Sequence, residues 1–370
     1  VKPFFLKIFS WIYGMIVGLR NEMFDLKILS SKEFDFPIIS VGNITVGGTG
    51  KTPHTEYIIR LLRNSLKIAT LSRGYKRKTR GFLIAETNST VKQVGDEPLQ
   101  MKTKFNDVIV AVDSKRVRGI ENLLALTDKP DVIILDDAYQ HRYVSPGMNI
   151  LLTDFNRLIT KDSLLPFGRL RESATNRSRA NIIIVTKCPS QLKPIEERII
   201  TKELTIRPYQ NLYFTKLAYG PVQPVYPEIF TSSDKQPDNS ILKGKTILLV
   251  TGIANPDSLK NYLNSQSRLI QHLCFSDHHN YQDKDMDLIL SRFDTLPKEN
   301  RIIITTEKDM VHLRELANVS ELIKRNIFYI PLEICFLNNG SKDFEQKIFN
   351  YVTENKVNFD LHTRKNKLSS

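Results

Sequence analysis

The chain opens on an almost unbroken apolar run, "PFFLKIFSWIYGMIVGL" over residues 3–19, interrupted only by Lys7 and Ser10. The pattern then changes to short aliphatic runs, each followed by a segment of helical period. "FPIISVGN" (36–43) leads through a glycine-rich turn into "TPHTEYIIRLLRNS" (52–65). The theme recurs at "KIATLS" (67–72), "DVIVAV" (107–112), "DVIILDD" (131–137), "MNILLTD" (148–154) and "NIIIVTK" (181–187). Short β-branched runs alternating with helices predict an α/β fold with a mostly parallel sheet and helices on both faces.

Residues 207–243 break this rhythm. They are rich in Pro, Ser, Asp and Tyr and read as an extended linker with one edge strand at "LYFTKLA". A second, smaller α/β unit follows. Its predicted strands are "KTILLVTGI" (245–253), "RLIQHLCF" (268–275), "RIIITTEK" (301–308) and "IFYIPLEI" (327–334), with helices between them. Residues 341–355 predict a closing helix, and the polar, basic end of the chain predicts a frayed tail. The expected divisions are therefore 1–24, an apolar helix; 25–210, the first α/β unit; 211–243, the linker; 244–335, the smaller lobe; and 336–370, closing helix and tail.

The N-terminal run would make a helix of roughly 25 Å, short of the ~30 Å hydrocarbon core of a bilayer. No small-residue cleavage site follows it, against a signal peptide. Two readings stay open: a buried core helix, or a helix lying in a membrane surface with Trp11 and Tyr13 at headgroup level.

Composition adds one constraint. The 370 residues are 41% apolar and 25% charged, as in a folded soluble protein, and carry a net charge of +13. Such a surface favours anionic partners, whether nucleic acid, acidic lipid or phosphorylated substrate. Cys188, Cys274 and Cys335 are far apart and form no CxxC pair, so neither a disulfide framework nor a zinc knuckle is indicated.

The chemistry begins at "SVGNITVGGTGKTP". Gly47, Gly48 and Gly50 supply permissive backbone, and Lys51 and Thr52 follow as in a phosphate-binding loop. In such a loop backbone N–H groups curl around the phosphates, the lysine reaches the β/γ-phosphates, and the Thr hydroxyl holds Mg²⁺. Thr45 stands where the strict pattern has glycine. A chance Gly-rich turn is the bland alternative, but the strand before and helix after match the phosphate-binding context. "DVIILDD" delivers Asp136 and Asp137 to a strand end, where a metal-holding carboxylate is needed and where an ordinary Asx turn is also common. Asp113 and Asp154 end strands too and read equally well as caps.

Asp96 and Glu97 precede Pro98, as acidic residues at a helix start do, and offer a general base for a hydroxyl nucleophile. "FSDHHNYQDKD" (275–285) sets His278 and His279 among carboxylates without metal-ligand spacing, so a proton-handling His oriented by a carboxylate fits better than a metal cage. Basic clusters at 72–81, at Lys115, Arg116 and Arg118, and at Arg169 and Arg171 each follow a strand. Singly each reads as a solvated face; together they read as an anion-binding face.

The series "VGNITVGGTGKTP", "SRGYKR", "VGDEP", "LDDAYQH", "LLPFGRLRE", "TGIANP", "FSDHHNY" and "TTEKDMVHL", in this order, closely resembles the tetraacyldisaccharide 4'-kinase family. The resemblance covers nearly the whole chain, and the family's loop shares the missing glycine at Thr45. It implies a P-loop NTPase core with a smaller C-terminal α/β lobe on a two-stranded linker. It implies γ-phosphate transfer from ATP, with Mg²⁺, to the 4'-hydroxyl of an acylated disaccharide 1-phosphate lipid, yielding lipid IVA at the cytoplasmic face of the bacterial inner membrane.

By motif, residues 45–52 (Thr45, Val46, Gly47, Gly48, Thr49, Gly50, Lys51, Thr52) would hold nucleotide. Thr52, Asp136 and Asp137 would hold metal, with Asp96 as base and His278 as its partner when the lobes close. Arg116, Arg171 and Glu172 would lie near the phosphates. Ala138, Tyr139 and Ser276 depart from the commoner family residues and remove no ligand. The resemblance favours the membrane-surface reading of the N-terminal helix, and a monomer is expected. Beside it stand a P-loop kinase of another sugar or lipid and an ATP-regulated binding protein. A nucleic-acid partner is disfavoured, since no recognised nucleic-acid module occurs and the basic residues follow sheet strands.

Overall fold

The computed structural model describes residues 2–230, 238–267 and 269–368, with side chains for 4–230, 238–267 and 269–356. Residues 231–237 of the Pro/Ser-rich stretch thus lie outside the described residues. Among the described residues the chain forms a large sheet, a small sheet, and a short pair of strands, Lys32–Glu33 with Val144–Ser145.

The large sheet runs in the order Leu332–Phe336, Asn211–Tyr219, Ile182–Thr186, Met148–Asp154, Ile38–Asn43, Val132–Asp136, Ile68–Ser72, Ile109–Val112, Leu83–Ile84. All neighbours are parallel except the outermost pair at each edge. The small sheet runs Gln223–Pro224, Ile327–Ile330, Arg301–Thr306, Thr246–Thr251, Leu269–Cys274 and is parallel except for its first pair.

The aliphatic runs become strands because both faces of the sheet are covered. Ile39, Val41, Ile134 and Ile150 bury into one core, whereas Ile38, Ile133 and Leu135, one residue out of step, bury into another on the opposite face. The first core is continuous with the small lobe, since Leu248, Val250, Ile303 and Met310 belong to it.

Two details depart from the pattern. "IFYIPLEI", read as one strand, is two: Ile327–Ile330 in the small sheet and Leu332–Phe336 in the large one. Pro331 lies between them and has no N–H with which to continue a ladder. "LYFTKLA" is not an edge strand. It belongs to Asn211–Tyr219, which pairs with Ile182–Thr186 on one side and with the returning Leu332–Phe336 on the other. These two antiparallel strands carry the chain between the lobes.

The helix Gly340–Leu368 runs through the stretch expected to fray. It packs on the first unit, with Phe344, Ile348 and Val352 buried and Tyr351 Oη donating to the Ile38 carbonyl at 3.0 Å.

The apolar N-terminal run is a helix, Lys2–Asp25, with an inverted arrangement. Its polar groups face the protein: Ser10 Oγ donates to Leu164 O (2.8 Å), Tyr13 Oη to Arg171 O (2.8 Å), and Asn21 Nδ2 to Glu172 Oε2 (3.3 Å). Phe4, Phe9, Trp11, Met15, Ile16 and Leu19 are exposed, which overturns the core-helix alternative. Among the described residues no helix is long and apolar enough to cross a membrane.

Candidate active site

The strand Ile38–Asn43 lies at the middle of the large sheet and ends beside Val132–Asp136, with Val41 opposite Asp136. Residues 44–50 then turn into the helix Lys51–Leu62. Gly50 caps that helix with φ 84°, a left-handed conformation that glycine adopts without steric cost. Val46, Gly47 and Gly48 are exposed at the open end of the turn. The arrangement presents backbone N–H groups at a helix N-terminus, which is a ready anion site.

Thr45 fits for a local reason. Its backbone forms a β-bridge with Leu170, and Val46 N donates to Arg169 O at 2.8 Å. A residue in such a bridge needs no glycine.

The loop is fixed from beneath. Asn43 Nδ2 donates to Thr49 Oγ1 (2.7 Å) and Thr186 Oγ1 to Thr49 O (2.9 Å). Burial lowers His54 to about 4, so its imidazole is neutral. It donates from Nδ1 to Gly50 O (2.7 Å) and accepts at Nε2 from Thr215 Oγ1 (3.0 Å). Thr215 lies on the strand leading to the small lobe, so the loop is tied to the inter-lobe connection.

Asp136 and Asp137 stand at the adjoining strand end. Asp137 has φ 48°, a left-handed conformation uncommon for a side-chain-bearing residue, and strain of this kind gathers at functional sites. Its carboxylate lies 3.5 Å from Lys51 Nζ and 3.4 Å from Arg171 Nη1. Asp136 is buried and accepts from Thr55 Oγ1 at 3.2 Å. Burial, with the charges of Asp137 and Glu97 against that of Lys51, pushes its carboxyl up to about 7.

Two crowded carboxylates and the Thr52 hydroxyl are hard oxygen donors. A divalent cation there would relieve the repulsion that raises Asp136, and Mg²⁺ is commonly held by one or two carboxylates plus substrate phosphates. The residues present therefore fit Mg²⁺. Arg116 is buried against this corner, with Nη2 donating to Asp136 O at 3.4 Å. Burial lowers it to about 10, opposed by Asp136 and Asp137, so it stays charged at neutral pH.

Glu172 is differently engaged. It is buried and accepts from Arg179 at 2.7 and 2.8 Å, from Asn176 at 2.8 Å, from Gln140 at 3.2 Å and from Asn21. Its contacts tie the N-terminal helix to the loop that carries Arg171. Asp113 and Asp154 follow the bland reading: Asp113 accepts from Lys115 N and Arg118, and Asp154 from Lys187. Tyr139 packs on Gly42 and donates to Asn176 O, away from any ligand role.

Asp96 opens the helix Asp96–Lys104 directly after Gly95, whose φ of 95° lets the chain turn there against Tyr75 O. His278 Nδ1, from the small lobe, donates to Asp96 Oδ2 at 2.7 Å. His279 turns the other way, 2.9 Å from Asp285 and stacked on Phe275. The structure thus separates the two adjacent histidines and sets His278, the one the motif favours, on Asp96.

A third imidazole was not anticipated: His312 Nε2 lies 3.4 Å from Asp96 Oδ1. Burial would raise Asp96, but the hydrogen bond from His278 and the nearness of the His312 imidazole outweigh it and hold the carboxyl well below the usual range. The charge of Glu97, the next residue, is a lesser contributor to the rise of Asp136.

The chain is similar to known proteins over nearly all of its length. The family model for Tetraacyldisaccharide-1-P 4'-kinase matches residues 3–353. A tetraacyldisaccharide 4'-kinase of Phocaeicola vulgatus is 51% identical over 351 residues, covering 94% of this chain and 95% of that protein. One from Bacteroides fragilis is 50% identical over 357 residues, covering 96% and 95%. Among solved structures, LpxK from Aquifex aeolicus in complex with ATP superposes with a TM-score of 0.72 at 26% identity, covering 95% of this chain and 100% of that one. The family-model match and the likeness to these relatives over nearly the whole chain show one group: the protein belongs to the tetraacyldisaccharide-1-phosphate 4'-kinase family.

Proposed function

We propose that the protein transfers the γ-phosphate of ATP to the 4'-hydroxyl of a tetraacylated glucosamine disaccharide 1-phosphate. The product is lipid IVA, made by a monomer at the cytoplasmic face of the bacterial inner membrane. The observation that carries this reading is Asp96, at the start of a first-lobe helix, held at 2.7 Å by His278 of the small lobe. A hydroxyl acceptor needs a proton acceptor near the transferring phosphoryl group, and Asp96 supplies one.

The loop from Thr45 to Gly50 would cradle the nucleotide phosphates on backbone N–H groups. Lys51, Arg116 and Arg171 would balance the charge that spreads over the equatorial oxygens during transfer. Thr52, Asp136 and Asp137 would hold Mg²⁺, which when bound supplies charge neutralisation at the β- and γ-phosphates. Asp96 would take the proton of the 4'-hydroxyl, with His278 fixing the carboxylate. Because Asp96 and His278 come from different lobes, closure completes the site and excludes water that would otherwise take the phosphoryl group.

The helix Lys2–Asp25 supports the membrane assignment. Its outward Phe4, Phe9, Trp11 and Ile16 suit a bilayer surface, where the acyl chains of the acceptor reside. Incubation of the full chain with ATP, Mg²⁺ and the acceptor in detergent micelles, followed by mass spectrometry, tests the reading. A mass gain of one phosphate on the lipid is expected. An unchanged lipid with the nucleotide consumed would mean that water is the acceptor and would overturn the assignment.

A further inference from the structure

His278 and His312 reach one carboxylate from two different elements of the small lobe. His278 lies in the loop after Leu269–Cys274, and His312 on the helix Glu307–Arg314. The first meets Asp96 Oδ2 at 2.7 Å and the second Oδ1 at 3.4 Å. His312 is 7% exposed and Asp96 5%. His312 Nε2 has no well-directed hydrogen bond, and Asp96 is its ionic partner. A buried ring nitrogen left so close to a carboxylate becomes a hydrogen bond on an approach of a few tenths of an ångström, and leaving it unmade is costly.

The helix that carries His312 is held rigidly. Thr306 caps it by accepting from Asp309 N, and Asp309 Oδ2 accepts from Gly252 N at 2.9 Å. At its start Glu307 accepts from Lys104 Nζ at 2.5 Å, and Lys104 also reaches Glu56 on the phosphate-loop helix at 2.6 Å. Lys104 is the last residue of the helix that Asp96 begins. The two helices are therefore pinned at one end by an ionic bridge and at the other by His312 on Asp96.

We propose that His312 is a positioning residue for phosphoryl transfer: it holds Oδ1 of Asp96 while His278 holds Oδ2, fixing the plane of the carboxylate when the small lobe closes. A carboxylate has about four lone-pair directions, so two imidazoles leave others for an acceptor hydroxyl. The clamp presents those directions in one orientation and ties them to lobe closure. This rests on the reading of Asp96 as proton acceptor. The groups facing the carboxylate are His278, with Asp277 4.0 Å beyond its Nε2, and His312; Lys104 and Glu307 stand at the far end of the helix pair.

The test compares the full-length wild type with His312→Phe and His312→Gln. Carboxyl ¹³C NMR follows Asp96 titration, and steady-state kinetics give kcat, KM and the acidic limb of the pH profile. His312→Phe is expected to raise the Asp96 midpoint and the acidic limb together by about one pH unit, since one stabilising neighbour is lost. It should lower kcat about tenfold with KM for ATP changed less than about twofold, as expected for an interaction made in the transition state. His312→Gln, which keeps a donor, should recover most of kcat. An unshifted Asp96 midpoint in a folded Phe variant, or a folded Gln variant that retains none of the wild-type kcat, overturns the clamp; should the Phe variant not fold, the kcat of the Gln variant decides. The NMR titration needs no turnover, so it judges His312 separately, whereas a silent wild type in the transfer assay contradicts only the functional reading.

Discussion

The carboxylate of Asp96 and the imidazole of His278 meet at 2.7 Å although 182 positions separate them in the chain. The contact joins the start of a first-lobe helix to a small-lobe loop, so it exists only when the lobes are together. Asp96→Asn keeps the shape and removes the proton acceptor. It should cut transfer by about 10²–10⁴-fold while ATP affinity stays near wild type, checked by turnover and by nucleotide titration. Unchanged turnover would remove Asp96 from the base role.

The two adjacent histidines should separate cleanly. His278→Ala removes the partner of Asp96 and should lower kcat with little change in thermal midpoint. His279→Ala removes a contact to Asp285, near the start of the helix Asp283–Asp294, and should cost about 1 kcal/mol of stability while kcat changes little. Equal kinetic loss in both would mean that the pair acts through loop structure alone.

Asp136 gives a pH signature with a definite sign. Its carboxyl is raised from 3.8 to about 7, first by burial and then by Asp137. Between those values the unfolded chain binds fewer protons at this group than the native chain does. The site therefore costs stability increasingly as pH rises through the window, and in full above about 7. Asp136→Asn should raise the unfolding free energy of the nucleotide-free protein at pH 8 by about 1–3 kcal/mol, and the gain should vanish near pH 4. The same variant should lose transfer, because a metal-holding carboxylate is gone. Calorimetry across pH checks the first half, and a Mg²⁺ titration of activity checks the second.

Much of this was legible in the sequence because strands and phosphate loops are local. "DVIILDD" and "VGNITVGGTGKTP" name their own strand ends, and Pro98 after Asp96 and Glu97 marks a helix start. What escaped depends on distant partners. No local pattern indicates that Leu332–Phe336 returns to pair with Asn211–Tyr219, or that His54 spans from Gly50 to Thr215. His312 reads as one helix residue among several until folding brings it to Asp96. Glu172 follows Arg171 in sequence, yet Arg179 and Asn21 fix its position.

The exposed face of the N-terminal helix offers a test without disturbing the fold. Trp11 and Ile16 are each 64% exposed, so Trp11→Glu with Ile16→Glu removes apolar surface and breaks no core contact. Association with anionic vesicles should weaken at least about tenfold, read by sedimentation, with the thermal midpoint unchanged. Equal pelleting would make the helix structural only.

The central claim is transfer to one hydroxyl, and ³¹P NMR of the lipid product tests it most directly. After incubation of the wild-type chain with ATP, Mg²⁺ and tetraacyldisaccharide 1-phosphate, a second phosphomonoester coupled to the proton at the 4'-carbon is predicted, and it should be absent with Asp96→Asn. A product phosphorylated at another position, or an acceptor returned unmodified while nucleotide binding is intact, would contradict the account.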